Sequence, residues 1–134
     1  MAELQCILVT PDRTVLDRQA DFVAMPLFDG EIGIAPDHTP MIGRLGCGEM
    51  RIDGVEEMDR FYVEGGFVEV FGNVVTVLTP RAIAAADIDA EVVQEQLETA
   101  LSRPAHTAEA MTVRDRVVSQ ARAQLRVARH GASR

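Results

Sequence analysis

The sequence contains no lysine, so its 13 strongly basic residues are all arginines. This absence removes the phosphate-binding lysine of the P-loop. The glycine-rich residues 43–48 match neither that motif nor the dinucleotide-binding fingerprint. The usual nucleotide-hydrolysis site is therefore excluded. Arginine can make a forked, bidentate contact with a carboxylate, and this contact is open to every basic residue of the chain.

Cysteine is scarce, and the separation of the two residues present, Cys6 and Cys47, fits no metal-binding or redox motif. Cys6 lies in an apolar run, which predicts a small core residue. Cys47 lies between two glycines, which predicts a place in a turn. Two free thiols are typical of a cytoplasmic protein.

Long apolar runs are also missing, since none approaches the roughly 18 residues that a membrane-spanning helix needs. Residues 1–4 place no basic segment ahead of an apolar stretch, so no secretory signal is expected. We therefore expect a cytoplasmic protein whose membrane association comes through a partner.

The formal net charge of −8 argues against nucleic acid as a partner. The charge is unevenly distributed along the chain. Residues 1–84 carry 14 acidic residues and six arginines, whereas residues 112–134 carry six arginines and one acidic residue, Asp115. A basic tail thus follows an acidic body.

Short apolar runs and alternations recur between residues 4 and 86, separated by turn-forming residues. Strands this short and frequent predict an antiparallel sandwich or barrel, because parallel sheets need helical crossovers that are absent here. The clearest hairpin joins Phe67–Phe71 to residues 74–79 through Gly-Asn at 72–73. The Gly-Gly pair at 65–66 indicates a bulge or a close approach between strands.

The pattern becomes helical after Asp87, since apolar residues recur at helical spacing from Ile88 to Leu101. Asp87 or Asp89 can cap this first helix, and Pro104 ends it. Thr107 can cap a second helix. Its apolar seam, interrupted by Arg114, consists of Met111, Val118, Ala121, Leu125 and Ala128.

Two helices joined by a short loop form an antiparallel hairpin. Because its seam is narrow and rich in alanine, we expect the hairpin to be able to detach. We therefore predict an α+β chain, with a β-sandwich at residues 1–86 and an α-helical hairpin at residues 87–134.

Three stretches resemble one known family. Residues 29–42 (DGEIGIAPDHTPMI) are similar to its (E/D)GE(L/I)GI-P-H-P segment. Residues 61–70 (FYVEGGFVEV), with NVVTVL at 73–78, are similar to its SGGF-EV…N-V-VL segment. The third is ARAQLRV at 121–127. The family is the epsilon subunit of bacterial F-type ATP synthases.

This resemblance implies an antiparallel ten-stranded sandwich with a C-terminal helical hairpin, and no catalysis or cofactor. It implies a rotor subunit of the central stalk, bound to the gamma subunit and the c-ring at the cytoplasmic face of the bacterial membrane. It also implies that the hairpin can extend toward the catalytic beta subunits and inhibit ATP hydrolysis.

The resemblance further implies that Asp29, Glu31 and His38 contact the c-ring. Other interpretations stay open. Asp29 and Glu31 are also compatible with a solvated turn, or with the paired carboxylates of a small β-barrel hydrolase that uses His38. No nucleophile accompanies them, however. A free-standing adaptor module is another alternative. His106 and His130 are predicted to lie in a loop and in a frayed tail, respectively.

Arg122, Arg126 and Arg129 are spaced i, i+4 and i+7, so on a helix they form one stripe. The stripe is either a solvated helix face or an inhibitory arm that contacts an acidic segment of the beta subunits. Some members of the family bind ATP through an I/L-D-x-x-R-A motif. Here Val92 replaces the motif arginine, which argues against bound ATP.

Overall fold

Ten strands followed by two helices make up the computed structural model, which describes residues 3–55 and 57–132. Residues 1, 2, 133 and 134, which the predicted domains include, lie outside the described residues. The strands are β1 (Leu4–Thr10), β2 (Arg13–Ala20), β3 (Phe22–Leu27), β4 (Gly30–Ile34), β5 (Met41–Arg44), β6 (Cys47–Asp53), β7 (Met58–Glu64), β8 (Phe67–Phe71), β9 (Val74–Leu78) and β10 (Ala82–Ala84).

The strands form two five-stranded sheets that pack face to face. The first sheet has the order β2-β1-β9-β8-β5, and the second has the order β10-β7-β6-β3-β4. This confirms the predicted ten-stranded sandwich, with one difference. Strands β1 and β9 pair in parallel. No crossover helix is needed, because the chain between them returns through strands of the second sheet.

The core lies between the two sheets and follows the two-residue period of the strands. Along β1, for example, Leu4, Cys6 and Leu8 alternate with partly exposed residues. The predicted core position of Cys6 is thus confirmed, and burial raises the pKa of its thiol to about 12. Cys47 is exposed and begins β6 opposite Glu64, rather than lying in the predicted turn.

A 3₁₀ turn at Ala85–Asp87 leads from β10 into the helices α1 (Ala90–Ser102) and α2 (Ala108–Ala132). The Asp89 carboxylate caps α1 by accepting a hydrogen bond from the Val92 amide at 3.3 Å. The Thr107 hydroxyl oxygen accepts from the Ala110 amide at 3.0 Å. Both caps match the prediction, as does the end of α1 just before Pro104.

The two helices pack against each other through a seam of small and medium-sized side chains: Val93, Leu97, Ala100, Val118, Ala121 and Leu125. Met111, predicted to begin this seam, is instead 45% exposed. The predicted hairpin is therefore confirmed, with a shorter seam.

Helix α2 also packs on the outer face of the second sheet, against β6, β7 and the 3₁₀ turn. Ala123 and Val127 contact a cluster built around Tyr62 and completed by Ile83, Ala85 and Ile88. The hairpin thus lies folded onto the sandwich. None of the helices within the described residues is long and apolar enough to cross a membrane.

The Gly-Gly pair between β7 and β8 permits a close approach of two strands, as predicted. Gly65 and Gly66 both have positive φ, of 77° and 103°. A Cβ atom on Gly66 would collide with the carbonyl oxygen of Leu78 in β9. By contrast, Gly72 has a φ of 56° in the β8–β9 turn, with open space around its missing Cβ.

These two glycines give a matched pair of substitutions. Gly66→Ala should lower the free energy of unfolding by about 3 kcal/mol or more, because it adds a backbone collision to the strain of a positive φ. Gly72→Ala should cost about 1 kcal/mol, because strain alone applies. Urea denaturation of both variants measures the difference. Equal losses would contradict the close approach.

Candidate partner-binding surfaces

The predicted contact residues Asp29 and Glu31 lie at an exposed tip of the second sheet, where β3 turns into β4. Register positions this turn, since Leu27 pairs with Gly30 and Pro26 pairs with Glu31. Beside it, the Arg44 guanidinium lies 5.8 Å from the centroid of the exposed Phe28 ring. The tip therefore combines carboxylates, an arginine and an aromatic ring, a mixture suited to contact with a polar loop.

His38 lies at the other end of the sandwich. It follows β4, and its loop is joined to the β8–β9 turn by two hydrogen bonds. The Asp37 amide donates to Asn73 Oδ1 at 2.6 Å, and Asn73 Nδ2 donates to Asp37 Oδ1 at 3.3 Å. The structure thus brings Asp29 and Glu31 together but separates His38 from them by the length of β4.

This separation bears on the alternative of a hydrolase. For His38 to act as a base together with Asp29 or Glu31, the imidazole and the carboxylate must lie within hydrogen-bond reach of each other. His38 Nδ1 instead lies 2.7 Å from the carbonyl oxygen of its neighbour Thr39. Within residues 3–55 and 57–132, no three His, Cys, Asp or Glu side chains are grouped as a metal site would require. The arrangement offers surfaces for binding rather than a reaction centre.

The outer face of the first sheet is apolar and uncovered. In β8 and β9, the buried Val68, Val70, Val75 and Val77 alternate with outward-facing residues. Large apolar side chains dominate the outward set, which we call the apolar outer face: Ile42, Phe67, Phe71, Val74 and Leu78. Phe67 pairs with Leu78, and Phe71 pairs with Val74. The polar pair Glu69 and Thr76 lies between these two apolar pairs. Large exposed apolar side chains grouped on one sheet face mark a candidate protein-interaction surface.

The apolar outer face leaves a signal in the sequence that was not used to predict it. Strand β8 reads Phe-Val-Glu-Val-Phe, and β9 reads Val-Val-Thr-Val-Leu. A strand with one solvated face would carry polar residues at every second position. The phenylalanines at both ends of β8 depart from that pattern.

The outer face of the second sheet is covered by the chain's own hairpin. Tyr62 in β7 is fully buried there beneath Ala123 and Val127 of α2. Its hydroxyl donates a hydrogen bond to Glu64 Oε1 at 2.8 Å. Burial, and then this hydrogen bond, raise the pKa of Tyr62 far above its usual range.

A polar cluster holds the C-terminal end of α2 on the same face. His130 Nδ1 lies 2.9 Å from Glu49 Oε2 in β6. Arg60 of β7 places its Nε 3.4 Å from Glu49 Oε1, and its Nη1 donates to the His130 carbonyl oxygen at 3.5 Å. The prediction of a frayed tail at His130 was therefore wrong, because Glu49 and Arg60 anchor this residue from 70 or more positions away.

The arginine stripe lies on the remaining side of α2. Neighbouring helix positions are buried either against α1 or against the second sheet, whereas Arg122, Arg126 and Arg129 are all exposed. Arg126 also lines a groove between α2 and the sheet, together with Glu31 and Cys47. One residue of each predicted contact set, Glu31 and Arg126, thus lines the same groove.

At the position of the ATP-motif arginine, Val92 is exposed in the first turn of α1. The neighbouring Asp89 carboxylate caps the helix. Neither side chain offers a cation to a phosphate.

Comparison with known proteins gives consistent matches. The family described as "ATP synthase, Delta/Epsilon chain, beta-sandwich domain" matches residues 3–85. The ATP synthase epsilon chain of Rhodopirellula baltica is 47% identical over 94% of this chain and 98% of that protein. The ATP synthase epsilon chain of Nitratidesulfovibrio vulgaris strain DP4 is 37% identical over 91% of this chain and 89% of that protein.

Among solved structures, a chain of the Euglena gracilis mitochondrial ATP synthase, a cryo-EM structure with OSCP, F1 and c-ring, has the same fold. Its TM-score is 0.77 at 22% identity, covering all of this chain and 83% of that one. A chain from the central stalk and c-ring of the Tetrahymena thermophila mitochondrial ATP synthase has a TM-score of 0.69 at 16% identity, covering 93% of this chain and 96% of that one.

The fold and its surfaces define a β-sandwich subunit with an exposed apolar face and a C-terminal helical hairpin. The chain belongs to the ATP synthase delta/epsilon chain family. The resemblance seen in the sequence is thereby confirmed, and the chain is a non-catalytic part of an ATP synthase complex.

Proposed function

We propose that this subunit is a rotor part of the central stalk that couples the catalytic head to the c-ring. We further propose that its hairpin inhibits ATP hydrolysis. The contrast between the two outer faces of the sandwich carries the proposal. One face is apolar and exposed, while the other is covered by α2, whose buried apolar side chains there are Ala123 and Val127. The subunit would thus be peripheral to the membrane, held at its cytoplasmic side through the c-ring.

The gamma subunit is the proposed occupant of the apolar outer face. Each phenylalanine buried there would contribute roughly 1.5–3 kcal/mol, which is enough for a few side chains to dominate binding. The face belongs to the sandwich alone and lies opposite the hairpin. Gamma binding should therefore not require the hairpin.

Replacing Phe67 and Phe71 together with serine should weaken gamma binding by about a hundredfold or more, because the two large apolar side chains at the ends of β8 are lost. Titration calorimetry with purified gamma subunit measures this. Val55→Ser is the matched control. It removes an apolar side chain that is 88% exposed in the β6–β7 turn, and it should leave the affinity unchanged. Unchanged binding by the double variant would contradict the assignment of the face.

The exposed tip at Asp29 and Glu31 is the proposed c-ring contact. The sequence resemblance predicted that His38 contacts the c-ring together with Asp29 and Glu31. Because His38 lies beside the β8–β9 turn instead, we assign it to the border of the gamma-binding face. An exposed ion pair contributes only about 0.2–1 kcal/mol, so Glu31→Ala alone should weaken coupling slightly without abolishing assembly.

Cross-linking in the assembled enzyme tests which end of the sandwich, the tip at Glu31 or the loop at His38, contacts the c-ring. Cys47 lies near Glu31 in the groove, so the Cys47→Ser chain is the proper background. There, Glu31→Cys should form a disulfide with a cysteine in the polar loop of the c subunit, and His38→Cys should not. If position 38 forms a cross-link with the c subunit and position 31 does not, the proposed orientation of the sandwich on the c-ring is wrong.

The arginine stripe of α2 is the proposed inhibitory arm. Arg122, Arg126 and Arg129 lie on one exposed side, where like charges repel by a few tenths of a kcal/mol per pair. An acidic segment of the catalytic beta subunits would relieve that repulsion when the hairpin extends. In the folded hairpin α2 is held on the sandwich, so the exposed stripe would reach such a partner only when the hairpin extends.

Deleting residues 108–134 should raise ATP hydrolysis while leaving assembly intact, because the sandwich core is a cluster separate from the helices. Changing Arg122, Arg126 and Arg129 to alanine should also raise the rate of ATP hydrolysis. Steady-state hydrolysis of the assembled enzyme measures both. If the truncated enzyme hydrolyses ATP at the original rate at both low and high salt, the arm does not inhibit.

A further inference from the structure

The contact between α2 and the second sheet has an apolar part and a charged part. The apolar part is small, since α2 contributes only Ala123 and Val127 to the cluster around Tyr62. The charged part is the Glu49–Arg60–His130 cluster at the end of the helix. Because the apolar part is small, the charged cluster has a large share in deciding whether α2 stays docked.

Arg60 makes this cluster depend on Glu49. Its side chain is 7% exposed, and its Nη2 atom has no hydrogen-bond partner among the described residues. Its Nε faces Glu49 at 3.4 Å without hydrogen-bond geometry. The Glu49 carboxylate is therefore the counter-charge of a buried cation, and it also lies next to His130.

His130 brings an imidazole to this cluster. An imidazole gains or loses its proton between about pH 5 and 8. Protonated His130 forms an ion pair with Glu49, and it also lies in the last turn of α2, where the helix dipole favours a positive charge. Both interactions favour the docked helix and weaken when the imidazole becomes neutral.

Among the described residues, the groups around His130 do not reverse this sign. Glu31 of β4 lines the same groove and also favours a positive imidazole. Burial raises the pKa of the Cys47 thiol, which keeps it neutral in this range. Arg126 and Arg129 of α2 oppose a positive charge on His130, but both are exposed to solvent. Arg60, which lies beneath the helix, is buried. Arg60 shares Glu49 with His130 and so reduces the attraction between His130 and Glu49, whereas Glu31 adds a second carboxylate to the groove.

We propose that His130 and Glu49 form a proton-dependent latch that holds the hairpin on the sandwich. The latch closes when His130 is protonated and loosens as the pH rises. It is a property of the chain alone. If the hairpin inhibits hydrolysis as proposed above, acidic conditions would keep the arm folded away and alkaline conditions would release it.

The chain carries its own reporter of docking. Tyr62 is the only tyrosine, there is no tryptophan, and α2 covers it completely. Its raised pKa keeps the phenol neutral through pH 8.5. Quenching of Tyr62 fluorescence by acrylamide therefore measures how often α2 leaves the sheet. Val127→Asp, which disrupts the apolar contact, provides the undocked reference.

In the full-length chain, the quenching constant should rise about threefold to tenfold from pH 5.5 to 8.5. His130→Gln should give the high value at every pH. His130→Arg, which keeps a positive charge, should give the low value at every pH. His106→Gln is the control, since His106 is exposed in the α1–α2 connection, and its profile should match the original chain.

A pH-independent quenching constant in the original chain would overturn the latch. The same pH profile in His130→Gln as in the original chain would also overturn it. Both His130 variants leave Arg60 and Glu49 paired, so the test does not rest on a variant that exposes a buried charge. The readout needs no assembled enzyme, so it is independent of whether the hairpin inhibits hydrolysis.

Discussion

Strand β7 is buried on both of its faces, and the position of the hairpin follows from this constraint. Phe61, Tyr62 and Val63 are three consecutive buried residues. The two residues on the inner side are covered by the sandwich core, but Tyr62 points outward and needs a separate cover. Helix α2 supplies it. Lifting α2 would expose Tyr62 and leave Arg60 and Glu49 without the helix end that they anchor, so the folded position is specific although its apolar contact is small.

The outer face of the first sheet, in contrast to that of the second, is exposed. Strands β8 and β9 alternate strictly between core and outside, yet their outward side chains are mostly large and apolar. Nothing within the described residues covers them. The first sheet thus exposes an apolar face that a partner could bury. The second sheet is covered by α2, a helix of the same chain that could move away. That asymmetry suits a subunit that stays bound to a stalk while part of it changes position.

Features set by neighbouring residues could be predicted from the sequence. The turn at Gly72, the caps at Asp89 and Thr107 and the end of α1 before Pro104 each depend on local backbone chemistry. Features set by distant residues could not. The pairing of His130 with Glu49 joins positions 81 residues apart, and the separation of His38 from Glu31 depends on the direction of β4. The run Phe61-Tyr62-Val63 was a usable signal for a strand covered on both faces.

Hydrogen–deuterium exchange of the chain, alone and in complex with purified gamma subunit, tests the central claim that the two faces serve different occupants. The account predicts slower exchange in β5, β8 and β9 on gamma binding. Exchange in β6, β7 and residues 118–130 of α2 should stay unchanged. Protection that appears instead in β6 and β7, with faster exchange in α2, would mean that gamma displaces the hairpin from the second sheet, and it would contradict the account.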